Sequence, residues 1–387
     1  MPFARTVISE EARAAALRVL ESGWVTTGRE TEQFEHELAA WVGADHAVAV
    51  SSCTAAIELS LRALRLPRGS KVLVSAMTFC GAVHAIVHAG LQPVLVDVDA
   101  RTAMPSARMT EAAARACGGA DAMVVVHLGG YPAPVPELAT AAGLSTDFVV
   151  EDAAHAIGTW VGERPVGTIS RATCFSFYAT KNLPIGEGGM ITTADPDLAA
   201  SVRRARLHGM SADAWQRYLP GGSWRYTVDE AGLKANPTDL QAAIGRAQLR
   251  HLAGWQRRRE AMAARYDRQL RELAGLELPP RPANGQHAWH LYAVRIGPPF
   301  GVSRDDVADR LSARGVGTSV HFIPLHLMPY FHKVAILPRG GLPIADGVFA
   351  ETLSLPMHQW LTDDEVDTVC DALADVHARA RLIGVVQ

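Results

Sequence analysis

The sequence predicts an α/β protein: a large domain on a mostly parallel, mixed sheet between layers of helices, then a smaller C-terminal α/β domain. Three observations carry this. Short apolar, β-branched runs alternate with alanine-rich helical stretches through the first half of the chain, the pattern of a parallel sheet covered on both faces. A chain of 387 residues, 48% hydrophobic and 20% charged, is long enough for two domains with cores of their own. Pro279, Pro280 and Pro282 interrupt a long helical run, and strand-like and helix-like segments resume after them. The large domain is placed at residues 1–250 and the small one at 251–387.

The strands expected in the large domain are Ala47–Val50, Lys71–Ser75, Val94–Val98, Ala122–His127 and Phe148–Glu151, each next to helix-like sequence. Sites in such sheets gather at the carboxyl ends of strands, which is where Ser52 and Asp152 fall. From Pro237 to about Leu273 the pattern is helical. The smaller domain is expected to hold a strand at Trp289–Ile296, a helix from Arg304 to Arg314 with Ser303 as N-cap, a strand near Gly317–Phe322 and a closing helix from Asp363.

Composition narrows the function. A net charge of -3 and a pI near 6.6 leave no basic stripe for a phosphate backbone, so nucleic acid is not expected as a partner. The five cysteines, Cys53, Cys80, Cys117, Cys174 and Cys370, are scattered without a C-x-x-C pair, which argues against a disulfide framework or a zinc site and suits a reducing cytoplasm. The first residues lack a basic start followed by an apolar core. The most apolar stretch, Val72 to Val98, is broken by His84, His88, Gly90 and Pro93, so neither export signal nor membrane span is expected.

Two segments carry chemistry. Lys181 sits in F-S-F-Y-A-T-K-N-L-P-I-G-E-G-G-M (Phe175 to Met190), and 29 residues upstream Asp152 ends an apolar strand in V-V-E-D-A-A-H-A (Val149 to Ala156). A pyridoxal phosphate (PLP) aldehyde needs one fixed, partly desolvated amine for a Schiff base, and its pyridine nitrogen needs a carboxylate to stay protonated. Lys181 and Asp152 would supply these parts. Ser52-Cys53-Thr54, between a strand and a helix, reads as a phosphate-binding turn or as a simple helix cap. Ser176 offers a hydroxyl five residues before Lys181. His321 and His326 lack a carboxylate or cysteine to complete a ligand set, so no metal is expected.

The ordered set of segments closely resembles the DegT/StrS family of sugar aminotransferases, within fold type I of the PLP enzymes. The matching pieces are G-W-V-T-T-G (Gly23 to Gly28) with Phe34-Glu35, V-S-S-C-T-A-A-I-E-L (Val50 to Leu59), S-A-M-T-F (Ser75 to Phe79) and H-L-G-G (His127 to Gly130). They continue through the Asp152 and Lys181 segments to P-T-D-L-Q-A-A-I-G (Pro237 to Gly245), V-H-F-I-P-L-H (Val320 to His326) and L-S-L-P (Leu353 to Pro356). The resemblance implies that Phe79 stacks on the pyridine face, that His155 lies near the cofactor's 3-hydroxyl, and that Thr27, His321 and His326 lie by the substrate. It implies a homodimer with shared sites, in which the loop Gly232–Asp239 reaches the neighbour's phosphate through Lys234 or Asn236. Relatives carry glycine at the position of Cys53 and often asparagine at that of Lys234. The loop from Met210 to Thr227, with Trp215, Trp224, Arg225 and Tyr226, is one where family members differ.

The activity so implied is transfer of an amino group from glutamate, or a similar donor, to a keto group on a nucleotide-linked deoxysugar. A keto-cyclitol acceptor and a PLP-dependent sugar dehydratase of the same family are the alternatives. The dehydratases replace the Schiff-base lysine by histidine, and Lys181 argues against them.

Overall fold

The computed structural model describes residues 1–211 and 225–384. Seven strands form one sheet: β1 (His46–Val50), β2 (Lys71–Ser75), β3 (Gln92–Val96), β4 (Ala122–Val126), β5 (Val149–Asp152), β8 (Ala172–Ser176) and β9 (Gly189–Thr193). Their spatial order is β1-β9-β8-β5-β4-β2-β3. Strand β9 alone runs against its neighbours, β1 and β8; every other pairing is parallel. A ribbon of β6 (Trp160–Val161), β7 (Arg164–Pro165) and β11 (Gly285–Gln286) lies apart.

Burial on both faces follows from the two-residue period of a strand. Val48, Val74, Val124 and Val150 point to one core, with α3 (Cys53–Ala63), α4 (Cys80–His88) and α7 (Pro196–Ala205). Ala49, Leu73, Met123 and Val149 point to the other, with α2 (Arg29–Val42), α5 (Ala107–Ala116) and α6 (Val135–Ala142). Near-continuous apolar runs are therefore required of these strands, and alternating ones would fail. Helix α8 (Asp239–Leu249) packs on α1 (Glu10–Ser22) through Ala243 and Ala247. It starts in a capping box between Thr238 and Gln241.

Helix α9 (Leu252–Leu270) joins two cores. Leu252 belongs to the first, while Met262, Tyr266 and Leu270 belong to a separate cluster with Tyr292, Leu353 and Val366. That cluster lies under an antiparallel sheet of β10 (Leu276–Glu277), β12 (Tyr292–Ile296) and β13 (Thr352–Leu355), in the order β10-β12-β13. Helices α10 (Arg304–Ser312) and α13 (Asp363–Gly384) complete this core, while α11 (Pro329–Val334) and α12 (Pro343–Glu351) pack back on the large sheet through Phe331, Ala345 and Val348.

The expected strands and helices appear with small shifts at their ends. Ser303 does cap α10, in a reciprocal pair with Asp306. The helical run from Pro237 is two helices, broken at Arg250 and His251. The strand expected near Gly317–Phe322 is not formed. Ser319 makes a single bridge with Ser354, after which His321 and Phe322 line a cavity, and Pro324, with no N–H to donate, cannot extend a ladder.

Candidate active site

A cavity of about 530 Å³ opens where β4, β5 and β8 end, walled on its far side by residues of the second half. Its lining includes Ser52, Cys53, Thr54, Phe79, Asp152, His155, Ser176, Lys181 and His321, so nine of the residues singled out in the sequence converge there.

The floor is built by strand ends. Asp152 is the last residue of β5 and is buried. Its Oδ1 accepts the Ala154 N–H at 3.0 Å and lies 3.7 Å from Cys53 Sγ. Burial pushes its carboxyl above the usual carboxylate range, against the Ala154 hydrogen bond and the charge of Lys181. Desolvation likewise lowers Lys181, against the opposing pull of Asp152. The Lys181 N–H donates to the Tyr178 carbonyl at 2.8 Å, which closes the turn that presents the side chain. The next residue, Asn182, holds that turn in place by donating to the Ala288 carbonyl at 2.9 Å and pairing with His290 at 3.0 Å.

Glu151, one residue before Asp152, points to the opposite face and is fully buried. It accepts from Ser170 N–H and Oγ and from Thr173 Oγ1, and it lies 2.8 Å from His127 Nε2. The His127 ring accepts the Ala133 N–H at Nδ1, which leaves the Nε2 hydrogen for Glu151. Burial works to raise this carboxyl, but the bonds from His127, Ser170 and Thr173 outweigh it and hold it below the ordinary range.

Ser52 caps α3: its Oγ accepts the Ala55 N–H at 3.1 Å. The free N–H groups and positive end of this eleven-residue helix face the cavity, a setting suited to a phosphate. Glycine is required at the neighbouring Gly189, because a Cβ there would lie 2.5 Å from the Ser52 carbonyl carbon and 2.7 Å from the Cys53 nitrogen. Cys53 therefore fits as the first residue of the helix, its thiol turned toward Asp152 and the Cys174 carbonyl. Burial, then the Asp152 charge, pushes that thiol well up, so it stays protonated.

The walls are aromatic. Phe79 is 60% exposed, an unusual state for phenylalanine, and faces Phe322 at 6.0 Å across the cavity. His155 stacks on His290 at 4.3 Å. Its Nδ1 accepts the Gly129 N–H at 3.2 Å, leaving Nε2 as its protonated nitrogen. Burial pushes both His155 and His290 well down. His321, bonded to Ser354 Oγ at 2.9 Å, is lowered to about 4 by burial and then by Lys181. Gly130 lets the H-L-G-G turn close against this wall, since a Cβ there would meet the His155 carbonyl oxygen at 2.8 Å.

Four expected residues lie elsewhere. Thr27 lines a separate cavity of about 570 Å³ with Glu35, Arg203 and Arg206. Its hydroxyl accepts from Asn236 Nδ2 at 2.7 Å, and Asn236 Oδ1 accepts from Lys234 Nζ at 2.6 Å, so these three form one hydrogen-bonded row outside the cavity. His326 pairs with Asp346 at 2.9 Å, away from the cavity lining, because the turn after Pro324 carries it to α12. Trp215 and Trp224 lie outside the described residues. Sequence reasoning missed His290, Phe322, Met357, Glu187 and Phe3, all of which line the cavity. A trace of His290 was present in the run H-A-W-H, but nothing in its spacing pointed inward. Among the described residues, no group of three or more metal-ligating side chains is assembled, and no helix is long and apolar enough to cross a membrane.

Comparison with known proteins gives a consistent picture. A family model described as the DegT/DnrJ/EryC1/StrS aminotransferase family matches residues 6–374. The chain is similar to the spore coat polysaccharide biosynthesis protein SpsC of Bacillus subtilis, with 43% identity over 378 residues, 97% of each chain. Among solved structures it is similar to the aminotransferase TlmJ of Streptoalloteichus hindustanus, with 35% identity, a TM-score of 0.87, and coverage of 98% of this chain and 99% of that one. It is also similar to Spr1654 of Streptococcus pneumoniae in its PMP form, with 29% identity, a TM-score of 0.89, and coverage of 98% and 100%. Spr1654 has also been solved in a PLP form.

Proposed function

The chain belongs to the DegT/DnrJ/EryC1/StrS aminotransferase family, and from that premise we propose that it transfers an amino group from glutamate or a similar donor to a keto group of a nucleotide-linked deoxysugar. The cofactor is pyridoxal 5'-phosphate, as in the PLP and PMP forms of Spr1654, and the cavity fits it. The observation that carries the reading is the placement, in one cavity, of a desolvated amine at Lys181 and a buried carboxylate at Asp152 that has no ion pair among the described residues. An acid pushed upward by burial is stabilised by a cationic partner, and a protonated pyridine nitrogen is one. When bound, the cofactor serves as an electron sink that lets an amine and a ketone exchange at one carbon.

The chain's own residues have separate tasks. Asp152 holds the ring proton, with Oδ1 fixed by Ala154 and Cys53. Ser52, Thr54, Ser176 and the N–H groups opening α3 receive the phosphate. Phe79 covers one ring face, and the protonated Nε2 of His155 donates to the ring's oxygen. Lys181 Nζ would hold the cofactor by its aldehyde and, once displaced by the donor amine, would take the proton from the donor carbon and deliver it to the cofactor's aldehyde-derived carbon, a role favoured by the desolvation that lowers its pKa. The neutral histidines and the aromatic walls exclude water.

Four finer features belong to the same reading. The SpsC likeness, to a protein of polysaccharide biosynthesis, supports a sugar acceptor. We place the two domains at residues 1–250 and 251–387, supported by the passage of α9 from one core to the other. The Lys234, Asn236 and Thr27 row lies outside the chain's own cavity, with the Lys234 side chain exposed, which suits a homodimer in which the Gly232–Asp239 loop completes the neighbour's site. Five free cysteines suit a cytoplasmic location.

The test is separation of the two halves. The yellow, PLP-loaded protein should lose its visible band on adding glutamate alone and regain it when a nucleotide-linked keto sugar follows. If no amino donor changes the spectrum, the reading is wrong.

A further inference from the structure

The first residues of the chain cross the cavity as a strap. The Gly317 N–H donates to the Met1 carbonyl at 2.9 Å, and a Cβ at Gly317 would come within 2.8 Å of the Phe3 nitrogen, so the strap lies against bare backbone of the second half. At its other end, Thr6 Oγ1 donates to the carbonyl of Ala179, two residues before Lys181. Between these anchors, Phe3 and Ala4 line the cavity.

Phe3 is the outer member of a row of rings. It stacks on His321 at 5.5 Å with 29° between planes, and His321 is held from behind by Ser354. His321 meets Phe322 at 5.0 Å, and Phe322 faces both Phe79 and His155 at 6.0 Å. In the proposed function Phe79 covers the cofactor, so a group packed against Phe3 lies beyond the cofactor, toward the mouth. Further polar groups lining the cavity are Glu187, Tyr178 and Thr180, which can accept from or donate to hydroxyls. A deoxysugar has the matching surface: C–H faces and a deoxygenated edge that gain by leaving water against an aromatic ring, with hydroxyls on the remaining edges.

We propose that Phe3 is a specificity-determining wall for the acceptor, packing against the C–H face of the keto-deoxysugar ring and contributing little to the amino donor. This rests on the sugar aminotransferase reading above. A donor amino acid is reached by Lys181 at the floor, and the ring between Lys181 and Phe3 is His321, whereas a nucleotide-linked sugar must extend through the mouth that the strap borders.

The experiment uses the PLP-loaded protein and measures each half-reaction in a single turnover. In Phe3→Ala, loss of the visible band with glutamate should proceed within about twofold of wild type. Its return with a nucleotide-linked 4-keto-6-deoxyhexose should lose about tenfold in kcat/KM, chiefly through weaker binding, the size expected when one aromatic contact is removed. Phe3→Tyr should restore most of it, and the thermal unfolding midpoint of both variants should match wild type. An unchanged acceptor half, or equal losses in both halves, overturns the proposal; equal losses would make the strap a structural tie alone. If wild type responds to glutamate but to no keto sugar of a panel, the sugar reading falls, and this inference with it.

Discussion

The floor and the mouth of the cavity are built on different plans. The floor consists of residues at or just after strand ends: Asp152 at the end of β5, Ser176 at the end of β8, and Ser52 after β1, with Lys181 one turn beyond β8. Each is fixed by short-range hydrogen bonds and by the sheet beneath. The wall and mouth are gathered from remote segments: Phe3 stacks on His321, Phe322 faces Phe79 and His155, His290 stacks on His155, and Met357 adds to the lining. The difference teaches where a charge can be held firmly and where an apolar surface can vary: reacting groups sit on the rigid sheet, and substrate-facing groups on elements that different chains could exchange.

The sharpest attempt to break that contrast is to remove the amine. Lys181→Ala should abolish the visible band of the loaded protein and all measurable turnover, because no other lysine or arginine lines the cavity among the described residues. Turnover that survives would move the reacting group off the floor altogether.

The next comparison lies within the floor, between two adjacent acids on opposite faces of β5. Asp152→Asn should keep the fold and lose roughly a hundredfold or more in kcat, since an amide cannot hold a ring proton. Glu151→Gln should do the reverse. It leaves kcat near normal in the folded protein but costs about 2–3 kcal/mol of stability, because Ser170, Thr173 and His127 lose a buried charged acceptor. Denaturant unfolding and kinetics measured on both variants decide it; swapped outcomes would assign the roles to the wrong acids.

The smallest effect is expected as a pH dependence of stability, from His321 in the cavity wall and from His358 outside it. Burial lowers His321 to about 4, and burial followed by the Arg259 charge lowers His358 to about 4. An unfolded histidine titrates near 6.5. The unfolded chain therefore binds more protons between these values, so stability is fully present above about pH 6.5 and is lost as pH falls toward 4. Thermal unfolding across this range should show a midpoint that declines on acidification, and His321→Gln should flatten the decline. A midpoint constant from pH 7 to 5 would mean these rings are not desolvated in solution.

The sequence made the floor legible because its chemistry is local. An acid after an apolar strand, a lysine before a glycine run, and a serine before a helix each carry their reason within a few residues. The strands were legible for the same reason: a central parallel strand must be apolar on both faces, as Val72 to Val74 are. The mouth was not legible, since nothing near Phe3 or Met357 in the chain announces that folding brings them together. The expected strand at Gly317–Phe322 failed for a related reason. Its β-like composition meant a wall of the cavity, with His321 and Phe322 turned inward, and a single bridge to β13 was all the ladder that remained. Thr27 and His326 lie outside the chain's own cavity, bonded to Asn236 and Asp346 through contacts that no local sequence signal announces.

Helix α9 has a mechanical consequence. Its 19 residues run about 28 Å from a foot in the first core to a head in the second, so it is a lever planted in the floor's foundation. Each degree of tilt about Leu252 carries the far end about half an ångström. Any such pivot is opposed where the two halves are joined by hydrogen bonds near the cavity, among them Asn182 on the Ala288 carbonyl, the His290 N–H on the Gly129 carbonyl and the Leu325 N–H on the Ala76 carbonyl at 3.0 Å. A few degrees at the far end exceed the reach of a hydrogen bond, which makes the gap between roof and floor an angle, held by a set of such bonds and one long rod.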